Sequence, residues 1–206
     1  MRRVGLVLGV SLVMAAMMAL TVGSALAKDS NSAQTTYTDH IVEGYEYHAV
    51  PPHLSATREG IGQFRATVAG DLPGKLDATI YYTGIPGPNA TSEITHGTWI
   101  LCSEFTADPS TVTEPECTSD SAIQLTGTVR GGTARWDEFG YYVPGPLGTQ
   151  VWIGVADVKA TLGITGGTVD GVSVEKGSGK FEGELDHLPL ITGGDPTVTG
   201  DVTLKF

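Results

Sequence analysis

The last eleven residues of the chain, 196–206, alternate between apolar and polar side chains without a break. One parity holds Val198, Val202, Leu204 and Phe206, whereas the other holds threonines, an aspartate and a lysine. Because successive side chains of a strand point to opposite faces, this pattern predicts a strand with one face in a core and one in water. Similar alternation along most of the chain predicts an antiparallel all-β fold.

Two pairs of alternating segments predict β-hairpins. Segments 62–69 and 75–83 flank the turn-forming sequence Gly70–Gly74, and the second of them places Tyr82 inward together with other apolar residues. Segments 121–130 and 133–142 flank the pair Gly131-Gly132, which is expected to turn the chain.

The longest regular segment, 150–165, changes the parity of its apolar residues part-way along. A one-residue bulge near Ala156-Asp157 would restore a single inward face and bend the strand, although two shorter strands are the alternative. Bent strands are typical of closed barrels, where a strand turns a corner. The sequence therefore predicts a single antiparallel β-barrel over residues 40–206, with a β-sandwich as the alternative.

The N-terminus has the pattern of an export signal. Arg2 and Arg3 precede an uncharged apolar run, and Ala25 and Ala27 form an A-x-A cleavage site. We interpret residues 1–27 as a cleaved signal peptide, against the alternative of an uncleaved anchor, and the polar residues 28–39 as a flexible leader. The expected location is extracellular, periplasmic or on the cell surface, with no stable membrane insertion after cleavage.

Charge and cysteines refine this picture. The formal net charge of −11 repels phosphate backbones, so nucleic-acid binding is not expected.

Cys102 and Cys117 are the two cysteines of the chain. In an oxidising compartment they predict one disulfide, whereas a metal or catalytic thiol would need further ligands or a placed histidine. Asn89 begins an Asn-Ala-Thr glycosylation acceptor, which would be used only in a eukaryotic secretory route.

The segment Gly177–Glu184, with the sequence GSGKFEGE, resembles the G-x-G-x-F-x-G segment of the allene oxide cyclase and dirigent-type barrels. This resemblance implies a small eight-stranded antiparallel barrel, related in shape to lipocalins, with a central cavity for a hydrophobic ligand. The chain is longer than such a barrel needs, and it shows no matching set of the family's catalytic cavity residues. The resemblance therefore supports the barrel rather than an activity.

Two groups of side chains have metal-ligating chemistry. The first consists of imidazoles and carboxylates near the start of the barrel domain, at His40, Glu43, Glu46, His48 and His53. Their spacing matches no copper or zinc signature, so no metal site is predicted there. The second is an acidic segment between the cysteines and just beyond, with Glu104, Asp108, Glu114, Glu116 and Asp120. It could attract calcium, but it lacks the D-x-D-x-D-G arrangement, so hydrated side chains and no cofactor are expected.

The dipeptide Asp186-His187, with Glu182 and Glu184 beside it, is the most enzyme-like feature. Adjacent strand residues point to opposite faces, so Asp186 is not expected to orient His187, and the dipeptide is interpreted as the start of a turn. A carboxylate pair for glycoside hydrolysis could draw on Glu104, Asp137 or Glu138, but the sequence does not define their separation. The fragment Gly60-Ile61-Gly62 is interpreted as turn glycines rather than as a phosphate-binding loop.

Aromatic residues supply the candidate ligand site. The candidates for ligand contacts are Trp99, Trp136, Trp152 and Tyr82, although ordinary core and sheet-surface packing is expected to account for most such residues. Trp152 opposes Val151 and Ile153 in parity, which predicts an outer-face position or a second apolar layer.

The function predicted from the sequence is that of a secreted or cell-surface binding or structural module without catalytic activity, and its leading form binds a small hydrophobic ligand inside the barrel. A barrel enzyme, either a cyclase or isomerase acting on a hydrophobic substrate or a hydrolase, and a β-sandwich adhesion domain are the alternatives. An enzyme requires inward-facing titratable groups in a pocket, whereas a carrier needs only an apolar cavity.

Overall fold

The computed structural model describes residues 34–52, 58–106, 115–144 and 150–206. The predicted signal peptide, residues 1–27, and residues 28–33 of the predicted leader lie outside the described residues. Residues 36–39, which the sequence assigned to the leader, belong instead to the first strand, because Thr36 pairs with Lys205 of the last strand. The predicted boundary at residue 40 is therefore corrected to residue 36.

Nine strands and one short 3₁₀ helix form the described part of the chain. The strands are β1 Thr36–Val50, β2 Gly60–Gly70, β3 Gly74–Thr83, β4 Thr91–Cys102, β5 Ile123–Pro144, β6 Gln150–Val169, β7 Val172–Val174, β8 Gly177–Asp186 and β9 Thr197–Lys205. The 3₁₀ helix, Leu188–Thr192, connects β8 to β9. No helix among the described residues has the length and apolar character needed to cross a bilayer.

The strands close into an antiparallel barrel. Neighbouring strands follow the order β5-β4-β3-β2-β1-β9-β8-β6, and β5 also pairs with β6, which completes the ring of eight. The short strand β7 pairs with the end of β6 outside this ring. The predicted barrel is confirmed, and the β-sandwich alternative is excluded.

One predicted hairpin is confirmed and the other is wrong. β2 and β3 pair across the Gly70–Gly74 turn as expected. The pair Gly131-Gly132, however, does not turn the chain, because β5 runs through it without interruption. A Cβ on Gly132 would overlap the carbonyl oxygen of Lys159 on β6, so glycine is needed there for the close approach of two strands.

The bulge predicted near Ala156-Asp157 is also wrong. β6 pairs with β8 in unbroken register from Val155 to Ile164. The irregularity nearest to this position lies in the neighbouring strand β5. Between Trp136, which pairs with Ala156, and Gly140, which pairs with Gly154, β5 has extra residues relative to β6.

Two apolar clusters fill the barrel. At the end where β4 finishes, called here the disulfide end, the largest cluster includes Val68, Leu72, Leu101, Leu125, Ile164 and Leu204. The predicted disulfide is confirmed at this end, with the Cα atoms of Cys102 and Cys117 5.4 Å apart. A smaller cluster near the opposite end holds Ala134, Trp136, Trp152, Ala156, Leu185 and Val198. The inward positions predicted for Val198, Val202 and Leu204 are confirmed by their burial.

Candidate functional site

A cavity of about 140 Å³ lies inside the barrel, where the two apolar clusters meet. Its wall is mostly apolar and comes from strands all around the barrel, with Phe64, Leu76, Ile80, Trp99, Leu162 and Phe181 among the lining residues. An apolar protein cavity of about 150 Å³ is known to stay dry and to bind benzene or xenon. The space therefore suits one small apolar ring or a short hydrocarbon chain.

Four polar side chains also line this cavity, and they belong to the end opposite the disulfide. They are Glu46 on β1, Tyr82 near the end of β3, Ser92 near the start of β4, and His187 immediately after β8. Arg65 contributes to the wall as well, while its side chain pairs with Asp77. The polar groups are therefore gathered toward one end of an otherwise apolar space.

Irregularities in β1 bring Glu46 into the barrel. The register of β1 against β2 shifts between Ile41 and Glu43, so the inward parity changes from odd to even residues along β1. Glu46 is consequently buried, although its neighbours in sequence, Tyr47 and His48, are exposed. Simple alternation from the start of β1 would place Glu46 on the outer face, so its burial is not predictable from the alternation pattern.

Two glycines of β2 provide the space for this polar group. A Cβ on Gly62 would lie 2.9 Å from Glu46 Oε1, and a Cβ on Gly60 would overlap the ring of Tyr82. The fragment Gly60-Ile61-Gly62, predicted as a turn, lies instead within a strand. Glycine is needed at both positions because the side chains of Tyr82 and Glu46 occupy the space in which a Cβ would lie.

His187 is held by three contacts. Its Nδ1 lies 3.2 Å from the backbone oxygen of Trp152, its Nε2 lies 3.3 Å from Glu46 Oε2, and its ring packs on Trp136 with the centroids 5.0 Å apart. The Trp136 indole in turn donates a hydrogen bond to Ser92 Oγ at 3.2 Å. Because a carbonyl oxygen only accepts, Nδ1 is the donor to Trp152, and Nε2 is left facing the carboxylate.

The contact between Glu46 and His187 is close but poorly aligned. Both side chains are buried, with 6% and 12% of their surfaces exposed, respectively. Two bare acceptors would repel at this distance, so a proton on Nε2 or on the carboxylate is required between them. Nevertheless His187 Nε2 forms no hydrogen bond of acceptable geometry with a described residue. His187 Nε2 thus offers hydrogen-bonding capacity that the described residues leave unused.

Tyr82 lies in the field of the same carboxylate. Burial raises the pKa of the Tyr82 phenol above its ordinary value, and the negative charge of Glu46 raises this pKa further. Both causes favour the neutral phenol, which is the form able to donate a hydrogen bond in the cavity.

This pKa shift predicts an alkaline loss of stability. Because the folded state retains the Tyr82 proton to higher pH than the unfolded state does, stability should fall once the pH rises past the unfolded tyrosine value of about 10. Between about pH 9 and about pH 11, urea unfolding of the wild type should lose about 1 kcal/mol more than the Tyr82→Phe variant loses. Equal losses in the two proteins would contradict the raised pKa.

Of the four residues predicted to contact a ligand, three line the cavity: Trp99, Trp136 and Tyr82. Of the two positions predicted for Trp152, the outer face is wrong, because its side chain is buried in the smaller apolar cluster beside Trp136 and meets the ring of Tyr142 edge-on. Parity misled the prediction because Trp152 and its neighbour Ile153 are both buried, although they point to opposite faces of β6.

The candidate metal ligands do not assemble among the described residues. His40, Glu43 and His48 are exposed, Glu46 is buried, and His53 lies outside the described residues. In the acidic segment Glu104, Glu116 and Asp120 are exposed, whereas Asp108 and Glu114 lie outside the described residues. Across the described ranges no group of three or more histidine, cysteine, aspartate or glutamate side chains is arranged to hold an ion.

The carboxylates considered for catalysis lie apart from the cavity. Glu182 and Glu184 are exposed on β8, and Asp137 and Glu138 are exposed on the irregular part of β5. Asp186 accepts a hydrogen bond from the backbone nitrogen of Leu188 at 2.7 Å, which agrees with the predicted turn. As expected, Asp186 does not orient His187; the partner of His187 is Glu46, which the sequence analysis did not connect with it.

Comparisons of the chain with known protein families, with curated proteins and with solved structures find no match. The similarity of Gly177–Glu184 to the allene oxide cyclase and dirigent-type barrels therefore stays a prediction. In the structure this segment is β8, between β6 and β9.

Proposed function

We propose that this protein binds a small apolar ligand in the interior of its barrel. The observation that supports the proposal is the cavity of about 140 Å³ with its mostly apolar wall. Burial of an apolar ligand there is favoured by about 25 cal/mol for each Å² of surface removed from water. A ligand of about the size of one aromatic ring would fill the space.

The proposal includes export from the cytoplasm. The signal peptide predicted at residues 1–27 and the disulfide between Cys102 and Cys117 both favour an oxidising compartment. The net charge of −11 favours solubility there. The protein would then be a secreted or cell-surface carrier.

A second candidate function is that of an enzyme moving a proton on an apolar substrate. It is favoured by one observation, the buried Glu46–His187 pair at the cavity, because paired titratable groups in an apolar pocket are typical of acid–base sites. Recovery of a bound ligand after incubation in D₂O separates the two functions, since a carrier leaves its C–H bonds unlabelled.

The ligand proposal predicts that filling the cavity abolishes binding. Ala78 lines the cavity, so the Ala78→Leu side chain would occupy part of the space, at a stability cost of about 1–3 kcal/mol. Toluene, followed by chemical-shift changes of the methyl groups lining the cavity, should bind the wild type and bind this variant at least about ten-fold more weakly.

Ala69→Leu is the matched control, because Ala69 follows the buried residue Val68 on β2 and therefore points away from the interior. This control should bind toluene as the wild type does. A wild-type protein that binds neither toluene nor xenon would contradict the proposed function.

A further inference from the structure

We propose that the Glu46–His187 pair is the polar end of the ligand site and selects a small apolar molecule that carries one hydroxyl group. This inference rests on the proposed function, since it names the class of ligand for the same cavity. It goes further by assigning a specificity-determining role to two residues that are far apart in the sequence but lie together at one end of the barrel.

The geometry of the pair defines what it can bind. Nδ1 of His187 donates to the Trp152 carbonyl, so Nε2 is the ring nitrogen that faces Glu46. Oε2 of Glu46 lies 3.3 Å from it. With one proton between these two atoms, whichever of them carries it, the pair presents one donor and one acceptor side by side, and His187 Nε2 has no well-aligned hydrogen bond.

A hydroxyl group matches this arrangement because it donates one hydrogen bond and accepts others at the same oxygen. Placed against the pair, it would accept from the atom that carries the proton and donate to the other. An ammonium group only donates and would leave the donor of the pair without an acceptor, whereas a carboxylate ligand only accepts and would leave the acceptor of the pair without a donor. A hydrocarbon forms no hydrogen bond and would therefore leave His187 Nε2 without a hydrogen-bond partner.

Two of the neighbouring polar groups already have partners. Ser92 accepts a hydrogen bond from the Trp136 indole at 3.2 Å, and Arg65 Nε donates to Asp77 Oδ2 at 2.9 Å. Tyr82 is held neutral by burial and by Glu46, so its phenol is a further donor in the cavity. The rest of the wall is mostly apolar, with the buried indole nitrogen of Trp99, which has no hydrogen-bond partner among the described residues, as an exception; the remainder of the ligand is therefore mostly hydrocarbon.

The test uses four probes that share a phenyl ring and differ in one substituent: toluene, benzyl alcohol, benzylamine and benzoate. Binding to the wild-type protein is measured by calorimetry near neutral pH. We expect benzyl alcohol to bind about ten-fold more tightly than toluene, because it completes the hydrogen bonding of polar groups in a buried site. Benzylamine should gain less than the alcohol, and benzoate should bind more weakly than toluene.

Glu46→Gln tests the role of the carboxylate directly. This variant keeps the size of the side chain while removing its charge, so the advantage of benzyl alcohol over toluene should fall to about two-fold or less. Toluene should still bind, since the apolar wall is unchanged. Glu43→Gln, the same change at an exposed position of the same strand, should keep the wild-type preference.

The possible failures are distinguishable. If no probe binds the wild type, the proposed function itself is wrong. If toluene binds but benzyl alcohol binds equally well or less tightly, or if benzoate is preferred, the cavity binds ligands and the hydroxyl inference is overturned. Because these comparisons use the wild type, they decide the inference even if Glu46→Gln does not fold.

Discussion

Replacing Asp77 with alanine is expected to lower the free energy of unfolding by about 3–5 kcal/mol, because it removes one partner of a buried ion pair. Arg65 Nε and Asp77 Oδ2 are 2.9 Å apart, and both side chains are less than 10% exposed. The ring of Tyr47 covers the guanidinium, with Arg65 Cζ 4.6 Å from the ring centroid, and its hydroxyl approaches Asp77 at 3.4 Å. Urea denaturation of the variant near neutral pH measures the loss.

A surface pair on the same barrel provides the control. Lys180 Nζ and Glu182 Oε1 are 3.4 Å apart, but more than half of each side chain is exposed. Glu182→Ala should therefore cost about 1 kcal/mol or less. The double variant Arg65→Met/Asp77→Leu should recover much of the stability lost by Asp77→Ala, because it removes the buried charge as well as its partner. A loss below about 1 kcal/mol for Asp77→Ala would show that solvent reaches this pair.

The fold was predictable where local alternation and turn chemistry agree. β9 alternates along its whole length, and the hairpin of β2 and β3 has both the correct parity and a Gly70–Gly74 turn, so each was placed correctly. The disulfide followed from there being two cysteines and an expected oxidising compartment. In these cases each prediction needed only information within a short stretch of chain or a simple count.

Predictions failed where long-range strand contacts determine the local structure. Gly131-Gly132 has the composition of a turn, but the pair is used for close approach to β6 inside a continuous strand. Trp152 was placed on the outer face or in a second apolar layer because it opposes Ile153 in parity, but both residues are buried. In both cases the deciding contact comes from a distant part of the chain, which parity does not reveal.

The candidate site was predictable only in part for the same reason. Aromatic composition identified Trp99, Trp136 and Tyr82, which all line the cavity. The pairing of Glu46 with His187 depends on irregularities in β1 and on the turn after β8, so no local pattern links the two residues. The sequence offered one signal of this site, namely the glycines at 60 and 62. Two glycines on one face of a strand indicate that side chains from other strands occupy the space beside them.

Removing the disulfide is expected to lower the free energy of unfolding by about 3 kcal/mol, because the bond joins two cysteines that are 15 positions apart and so restricts the unfolded chain. The variant is Cys102→Ala/Cys117→Ala, since alanine avoids burying a hydroxyl at Cys102, which is fully buried. For a domain of this size the melting temperature should fall by roughly 6–12 °C. Thermal unfolding followed by circular dichroism measures the shift.

Reduction of the wild-type protein provides an independent control. A reducing agent should lower the wild-type melting temperature by a similar amount and should leave the alanine variant unchanged. The hydrogen bonds that flank the disulfide, from Thr106 N to Glu116 O at 2.8 Å and from Thr118 N to Glu104 O at 3.0 Å, lie at the edge of the barrel. We therefore expect the loop to loosen while the barrel and its cavity persist, so toluene should still bind the reduced protein. Loss of toluene binding on reduction would instead show that the disulfide end and the cavity unfold together.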